Sequence, residues 1–170
     1  MPEQATVRRA KSKLRHHRSP STAAGEFVRE EMHHIREGKH GASSAKQAVA
    51  IGLSKARRAG VPLKPPARGV SRKTRKAATQ AYRAGQRRRT TRPVSRARSR
   101  AALRKLKREP RRAASHRALS AQAHRSARLR GGPARRAAAR KAVRTKGPVA
   151  RRRAAEKAAR TRRRHQSAVN

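Results

Sequence analysis

The amino-acid sequence predicts a mainly α-helical protein, in which a short two-helix hairpin precedes a long basic tail of short, marginal helices that is largely disordered when unbound. Large apolar residues recur at helical spacing only in the first third of the chain. Beyond residue 66 the sequence is dominated by Ala, Arg, Lys and Ser, and Gly or Pro interrupts it at intervals of about one short helix. The formal net charge is +44 in 170 residues, which opposes compaction.

Charge and composition divide the chain into three segments. We expect residues 1–18 to be a basic, flexible N-terminus, residues 19–66 to be a helical hairpin domain, and residues 67–170 to be an Ala/Arg-rich basic tail. Five of the seven acidic residues lie within the first 37 positions, whereas residues 38–170 contain 43 basic and two acidic residues. The first helix of the hairpin therefore differs from the tail in charge, and the second helix shares the basic character of the tail.

The first predicted helix covers about residues 20–37. Ser19 or Ser21 can cap it, Pro20 is tolerated in its first turn, and Gly38 ends it. The large apolar residues of the predicted hairpin core recur at helical spacing on this helix and on the next one: Phe27, Met32, Ile35, Val49 and Leu53.

The second predicted helix begins after Ser44, because Ser44 followed by Gln47 is a capping-box pattern. Gly60 supplies a left-handed C-terminal cap, and Pro62 prevents continuation. Four small residues form a stripe that allows close approach of a partner helix: Ala45, Ala48, Gly52 and Ala56. A core of about 40 residues is rarely stable alone, so we expect the hairpin to form a homodimer or to dock on a protein partner.

The tail contains an internal repeat. Residues 134–146 align with residues 150–162 at an offset of 16, with nine identical pairs among thirteen. Ala and Arg favour helix, but neighbouring Arg side chains repel each other, so we expect these helices to form fully only on binding a polyanion. The pattern indicates one basic helix that has been duplicated.

Composition argues against an enzyme. There is no Cys, no nucleophile-elbow or phosphate-loop motif, and too little large apolar material to enclose a pocket. His33, His34 and His40 lie near acidic residues, but helical spacing pairs His34 with Glu30 and His33 with Glu37 as charge partners. We therefore predict a non-enzymatic protein without a metal site or cofactor.

The excess of positive charge predicts a nucleic-acid partner. Arg outnumbers Lys 38 to 13, and guanidinium groups bind phosphate bidentately. Phe27 and Tyr82 are the only aromatic residues, which disfavours recognition by base stacking. We expect sequence-nonspecific DNA binding through backbone phosphates. Association with RNA or the ribosome is the alternative. In a third possible arrangement the hairpin binds a protein partner and the tail only localises the protein. The predicted phosphate-binding residues are Arg57, Arg58, Arg87, Arg88, Arg89, Arg135, Arg136, Arg151, Arg152, Arg153, Arg162, Arg163 and Arg164.

No membrane association is expected. No apolar run approaches the roughly 18 residues of a membrane span, and the basic stretch 8–18 is not followed by the apolar segment of a secretion signal. We therefore predict a cytoplasmic protein associated with the nucleoid.

Residues 25–63 carry three motifs: GEFVREEM at 25–32, EGKHG at 37–41 and SAKQAVAIGLSKARRAG at 44–60. With these motifs the chain resembles a family of small basic bacterial proteins defined by a domain of unknown function. The resemblance implies a bacterial origin and no established activity. The tail is similar in composition to the basic tails of bacterial histone-H1-like proteins, which implies nucleoid association.

Overall fold

A computed structural model of the protein describes residues 2–67, 69–86 and 95–167. These residues form six α-helices and a short 3₁₀ helix, and no strand occurs among them. In chain order the helices are α1 (Gln4–Arg15), α2 (Pro20–Arg36), α3 (Ala45–Arg58), α4 (Arg72–Gln86), α5 (Arg96–Arg108), the 3₁₀ helix (Arg111–Ala114) and α6 (His116–Ser167). The chain divides into two compact units, residues 1–122 and 123–170.

Helices α2 and α3 form the predicted hairpin and begin at the predicted capping residues. The hydroxyl oxygen of Ser19 accepts a hydrogen bond from the Thr22 amide at 3.3 Å, and that of Ser44 accepts one from the Gln47 amide at 3.2 Å. The Gln47 side chain accepts a hydrogen bond from the Ser43 amide at 2.7 Å, one residue earlier than a capping box requires. Side-chain oxygens therefore satisfy amides that the first turn of each helix leaves without an intrahelical partner.

The backbones of α2 and α3 approach each other closely at Gly52. A Cβ atom at this position would lie 2.7 Å from the Cα of Val28 and 3.1 Å from the carbonyl oxygen of Phe27. Both neighbours are backbone atoms, so they cannot move aside as a flexible side chain can. The small-residue stripe of α3 thus allows the two helix backbones to pack directly against each other.

We expect Gly52→Ala to destabilise the first unit by about 1–3 kcal/mol, because the added methyl group overpacks the crossing. Gly25→Ala is the matched control: Gly25 is exposed on α2, and a Cβ atom there would meet nothing within 4 Å. It should stabilise the protein by about 0.5–1 kcal/mol through helix propensity. Thermal melting followed by circular dichroism measures both effects, and equal shifts of the same sign would contradict the close crossing.

Two apolar clusters form the core of the first unit. In the Phe27 cluster, the ring of Phe27 packs with Ala23, Ala24, Ala10 of α1 and Val61 after α3, and Leu53 lies against it half-buried. In the Ile35 cluster, Ile35 and Met32 pack with Ala42, Ala48 and the 3₁₀-helix residues Ala113 and Ala114, and half-buried Val49 lies against them. Of the five predicted core residues, Phe27 and Ile35 are fully buried, Met32 is nearly so, and Val49 and Leu53 lie at the edges.

Residues 4–15 of the expected flexible N-terminus instead form α1, which packs on α2. The helix buries Thr6 and Ala10, and half-buried Val7 and Leu14 contact the Phe27 cluster. Its basic residues pair with Glu26, which is 4% exposed: Arg9 Nε lies 2.9 Å from Oε2, and the Lys13 ammonium contacts Oε1. Burial alone would raise the pKa of Glu26, but Lys13, Arg29 and Arg9 outweigh it and lower this pKa to about 2.

The first unit extends well beyond the hairpin. The Gly41 amide donates to the Leu106 carbonyl at 2.8 Å, and a Cβ at Gly41 would lie 1.8 Å from the Glu109 carbonyl oxygen. A Cβ at Gly85 of α4 would lie 1.8 Å from the Arg57 carbonyl oxygen at the end of α3. Backbone contacts therefore join α4 and the segment after α5 to the hairpin. Within the chain, α1, α4 and the 3₁₀ helix provide packing that we expected a second copy or a protein partner to supply.

The predicted disorder of the tail is wrong, because residues 116–167 are helical. The backbone leaves the helical conformation at Gly131, with φ 72° and ψ 172°, and at Gly147, with φ 67° and ψ 174°. Pro133 and Pro148 follow these two glycines within two positions and occupy first-turn positions of the next helical segments, where proline is tolerated. Ala and Arg are both strong helix formers, and their propensity outweighs the repulsion on which the expectation of disorder rested.

None of the helices in the described ranges has both the length and the apolar character that a bilayer-spanning helix needs.

Candidate nucleic-acid interface

The second unit contains two helical segments with the same local structure. Each follows a glycine in the same left-handed conformation, Gly131 and Gly147, which are 16 residues apart like the sequence repeat. Thr145 Oγ1 donates to the Lys141 carbonyl at 2.9 Å, and Thr161 Oγ1 donates to the Lys157 carbonyl at 3.0 Å. The sequence repeat is therefore a structural repeat, which we call repeat helix 1 (residues 132–146) and repeat helix 2 (residues 148–162).

Almost all residues of the two repeat helices are exposed to solvent. Every residue from 133 to 164 is exposed except Gly147, which is half-buried. The exposed residues include eight of the predicted phosphate-binding residues: Arg135, Arg136, Arg151, Arg152, Arg153, Arg162, Arg163 and Arg164. Their guanidinium groups can therefore reach a polyanion without any rearrangement of the helix.

Each repeat helix has one face without charge. At about 100° per residue, four small residues of each repeat fall within one third of the circumference. They occupy equivalent positions in the repeats: Ala134, Ala138, Ala142 and Thr145 in the first, Ala150, Ala154, Ala158 and Thr161 in the second. The basic residues occupy the remaining two thirds. We call the uncharged face the small face.

The second unit is strongly positive. Residues 123–170 contain 17 Lys or Arg residues and one acidic residue, Glu156, for a net charge of +16. Duplex DNA has one phosphate charge per roughly 1.7 Å of axis, so this charge corresponds to about 16 phosphates, or about 8 base pairs. A helix that is polar on most of its surface and buries no apolar stripe has a surface suited to a charged partner rather than to a protein core.

The hairpin contributes less to the basic surface than the sequence predicted. Arg58 is exposed at the end of α3, but Arg57 is 8% exposed and its Nε donates to the Leu63 carbonyl at 3.1 Å. Burial lowers the pKa of the Arg57 guanidinium. Arg57 therefore fixes the segment after α3 and is too buried to bind phosphate. The predicted phosphate-binding residues Arg87, Arg88 and Arg89 lie outside the described residues.

Helices α4 and α5 add basic residues that were not among the predicted sites. All seven basic residues of α5 are exposed: Arg96, Arg98, Arg100, Arg104, Lys105, Lys107 and Arg108. Helix α4 exposes five more: Arg72, Lys73, Arg75, Lys76 and Arg83. The density of basic residues in this part of the sequence was the available signal. The predicted sites included only runs of consecutive Arg residues, so they left these helices out. The first unit thus has its own basic surface.

Comparison of the chain with protein-family models, curated proteins and solved structures gave no match. The resemblance to small basic bacterial proteins stays a prediction.

Proposed function

We propose that the protein binds double-stranded DNA without sequence specificity and acts as a non-enzymatic, nucleoid-associated protein. The observation that supports this most directly is the pair of repeat helices, whose Arg side chains are exposed over two thirds of the helix surface. Arg can bind phosphate oxygens bidentately, and the helices require no folding step before contact.

The α-helical structure of the repeat helices favours DNA over RNA as the partner. The major groove of B-form DNA is about 12 Å wide and admits an α-helix, whereas the deep, narrow major groove of A-form RNA does not. With the small face of a repeat helix toward the groove floor, the helix axis can approach the base pairs, and the flanking Arg side chains reach the phosphates on both sides. Repeat helix 1 has 15 residues and is about 22 Å long, which is shorter than one turn of the duplex.

Lack of sequence specificity follows from the side chains on the small face. Ala and Thr offer few hydrogen-bonding groups to base edges, and the Thr145 and Thr161 hydroxyls already donate to their own helix. The remaining contacts go to phosphates, which position a protein but do not specify a sequence.

The test compares binding of the full chain to DNA and RNA duplexes of the same sequence, about 20 base pairs long, at several salt concentrations. We expect at least 10-fold tighter binding to DNA at each salt concentration, because only the B-form groove admits the repeat helices. Random and AT-rich DNA duplexes should differ by less than about threefold. Equal or tighter binding to the RNA duplex would support the RNA- or ribosome-associated alternative instead.

A pair of variants tests the orientation of the repeat helices. Ala138→Met with Ala154→Met places two bulky side chains on the small face. DNA affinity should therefore fall by about 10-fold or more, because the helix can no longer approach the groove floor. The control is Ala139→Met with Ala155→Met, which makes the same change at equivalent positions outside the small face. Equal losses in the two variants would contradict insertion of the small face.

A further inference from the structure

Three side chains in the first unit bring together the donor atoms that a metal ion requires. Glu31 and His34 lie on α2, and His40 lies in the turn that follows. One carboxylate oxygen of Glu31 and one ring nitrogen of each histidine all lie within 4.8 Å of one another. This corrects the predicted pairing of His34 with Glu30, since His34 Nε2 instead lies 2.9 Å from Oε1 of Glu3.

Glu31 is a buried carboxylate that lacks well-formed hydrogen bonds. Its side chain is 0% exposed, and no described residue donates a hydrogen bond of good geometry to either oxygen. The Lys55 ammonium lies 2.6 Å from Oε2, which compensates part of the charge and leaves Oε1 toward His40. A buried carboxylate oxygen is costly unless a cation or a proton satisfies it.

His40 presents its free ring nitrogen to that oxygen. The Gly41 carbonyl lies 3.1 Å from Nδ1 of His40 and can accept a hydrogen bond from an N–H at that nitrogen, which leaves Nε2 to face Glu31. His40 Nε2 lies 3.3 Å from Glu31 Oε1. Either a proton or a metal ion can join these two atoms, and two ligands of a tetrahedral Zn²⁺, each about 2 Å from the metal, lie about 3.3 Å apart.

The surrounding charge also favours a cation. The ion pairs around the two histidines contain four carboxylates, Glu3, Glu30, Glu31 and Glu37, and two ammonium groups, Lys39 and Lys55. These ion pairs contain more acidic than basic groups, in a protein whose total charge is +44. Arg9 and Arg29, which line a surface cleft beside His34, pair with Glu26.

We propose that Glu31, His34 and His40 form a Zn²⁺ site. Two imidazole nitrogens and one carboxylate oxygen are ligands that Zn²⁺ prefers, and they leave one position for water. Each proposed ligand also contacts a group that can orient it. Glu3 contacts His34, the Gly41 carbonyl contacts His40, and Lys55 contacts the other carboxylate oxygen of Glu31. Of the three proposed ligands, His34 borders the surface cleft, which has a volume of about 350 Å³, so solvent reaches the site at this residue.

The site has a structural consequence. Zn²⁺ would link α2 to the turn that contains Gly41, and the Gly41 amide bonds to the Leu106 carbonyl at the end of α5. A bound ion would therefore stabilise the first unit at the place where α5 joins the hairpin. The proposal does not depend on DNA binding.

The test titrates ZnCl₂ into the chelator-treated full chain by calorimetry and records the visible spectrum after addition of Co²⁺. We expect one tight site, a raised melting temperature, and Co²⁺ bands of a four- or five-coordinate site. His40→Gln should weaken that site at least 10-fold, because it removes a ligand. His33→Gln is the matched control, since His33 is exposed on α2 beside His34 and lies outside the three-residue cluster; it should bind Zn²⁺ like the wild type.

Equal Zn²⁺ affinity of the wild type and His40→Gln would overturn the proposal, as would a wild-type Co²⁺ spectrum of hexa-aqua type. Far-UV circular dichroism checks that the variants fold. If His40→Gln does not fold, the wild-type Co²⁺ spectrum and the stoichiometry decide: one site with a tetrahedral or five-coordinate spectrum supports the proposal, and any other result overturns it.

Discussion

Replacing the six clustered Arg residues of the C-terminal segment with Gln should reduce the affinity for duplex DNA at 0.15 M salt by at least on the order of 100-fold. The residues are Arg151, Arg152, Arg153, Arg162, Arg163 and Arg164, all exposed. Each phosphate contact releases condensed counterions, so loss of six contacts should lower the slope of log affinity against log salt by about 5. Titration of one duplex at four or more salt concentrations gives both quantities.

The matched control replaces the same six residues with Lys. Lys keeps the charge, so the salt slope should stay within about 1 of the wild-type value, although affinity falls somewhat because bidentate phosphate contacts are lost. If the Gln variant keeps the wild-type slope, the second unit does not contact phosphates. Binding would then be assigned to the exposed basic residues of α4 and α5.

The start of each hairpin helix could be predicted because local chemistry determines it. Ser19 and Ser44 cap α2 and α3 through their own side chains, and Gly60 ends the hairpin with φ 88°. Such signals lie within four residues of the helix end and do not depend on the rest of the fold. The starts of α2 and α3 and the end of the hairpin at Gly60 therefore follow from the sequence alone.

The N-terminal helix could have been predicted, but the charge of residues 1–18 concealed it. Val7, Ala10 and Leu14 recur at helical spacing and form its buried face. Glu26 gave a second signal, because a carboxylate on the buried face of α2 requires cationic partners, and Arg9 and Lys13 supply two of them. The expectation of flexibility weighed net charge above periodicity.

The helical tail was missed because repulsion was given too much weight. Of the 31 residues 134–164, ten are Ala and fourteen are Lys or Arg, so most positions hold strong helix formers. Repulsion between exposed charges three or four positions apart costs only about 0.2–0.5 kcal/mol per pair, and salt screens it. Propensity summed over the segment is therefore the larger effect.

The Zn²⁺ ligands could not be identified from spacing. His40 follows α2 in a turn, and its distance from Glu31 depends on how residues 37–44 fold back. That path depends in turn on Gly41, where backbone from the end of α5 leaves no room for a side chain. Helical spacing paired His34 with Glu30, and only tertiary structure brings Glu3 to His34 instead.

Phe27→Ala should strongly destabilise the first unit and leave DNA binding nearly intact. Phe27 is 0% exposed at the centre of the Phe27 cluster, and loss of a buried Phe costs about 3–5 kcal/mol, against about 5–15 kcal/mol for the whole stability of a typical domain.

Val143→Ala is the control, since Val143 is 45% exposed on repeat helix 1 and its truncation should leave the melting curve unchanged. The measurements are thermal melting by circular dichroism and DNA affinity of the full chain, which should change by less than about threefold because the repeat helices keep their Arg side chains. An unchanged melting curve would contradict the assigned core, and a large loss of affinity would assign DNA binding to the first unit.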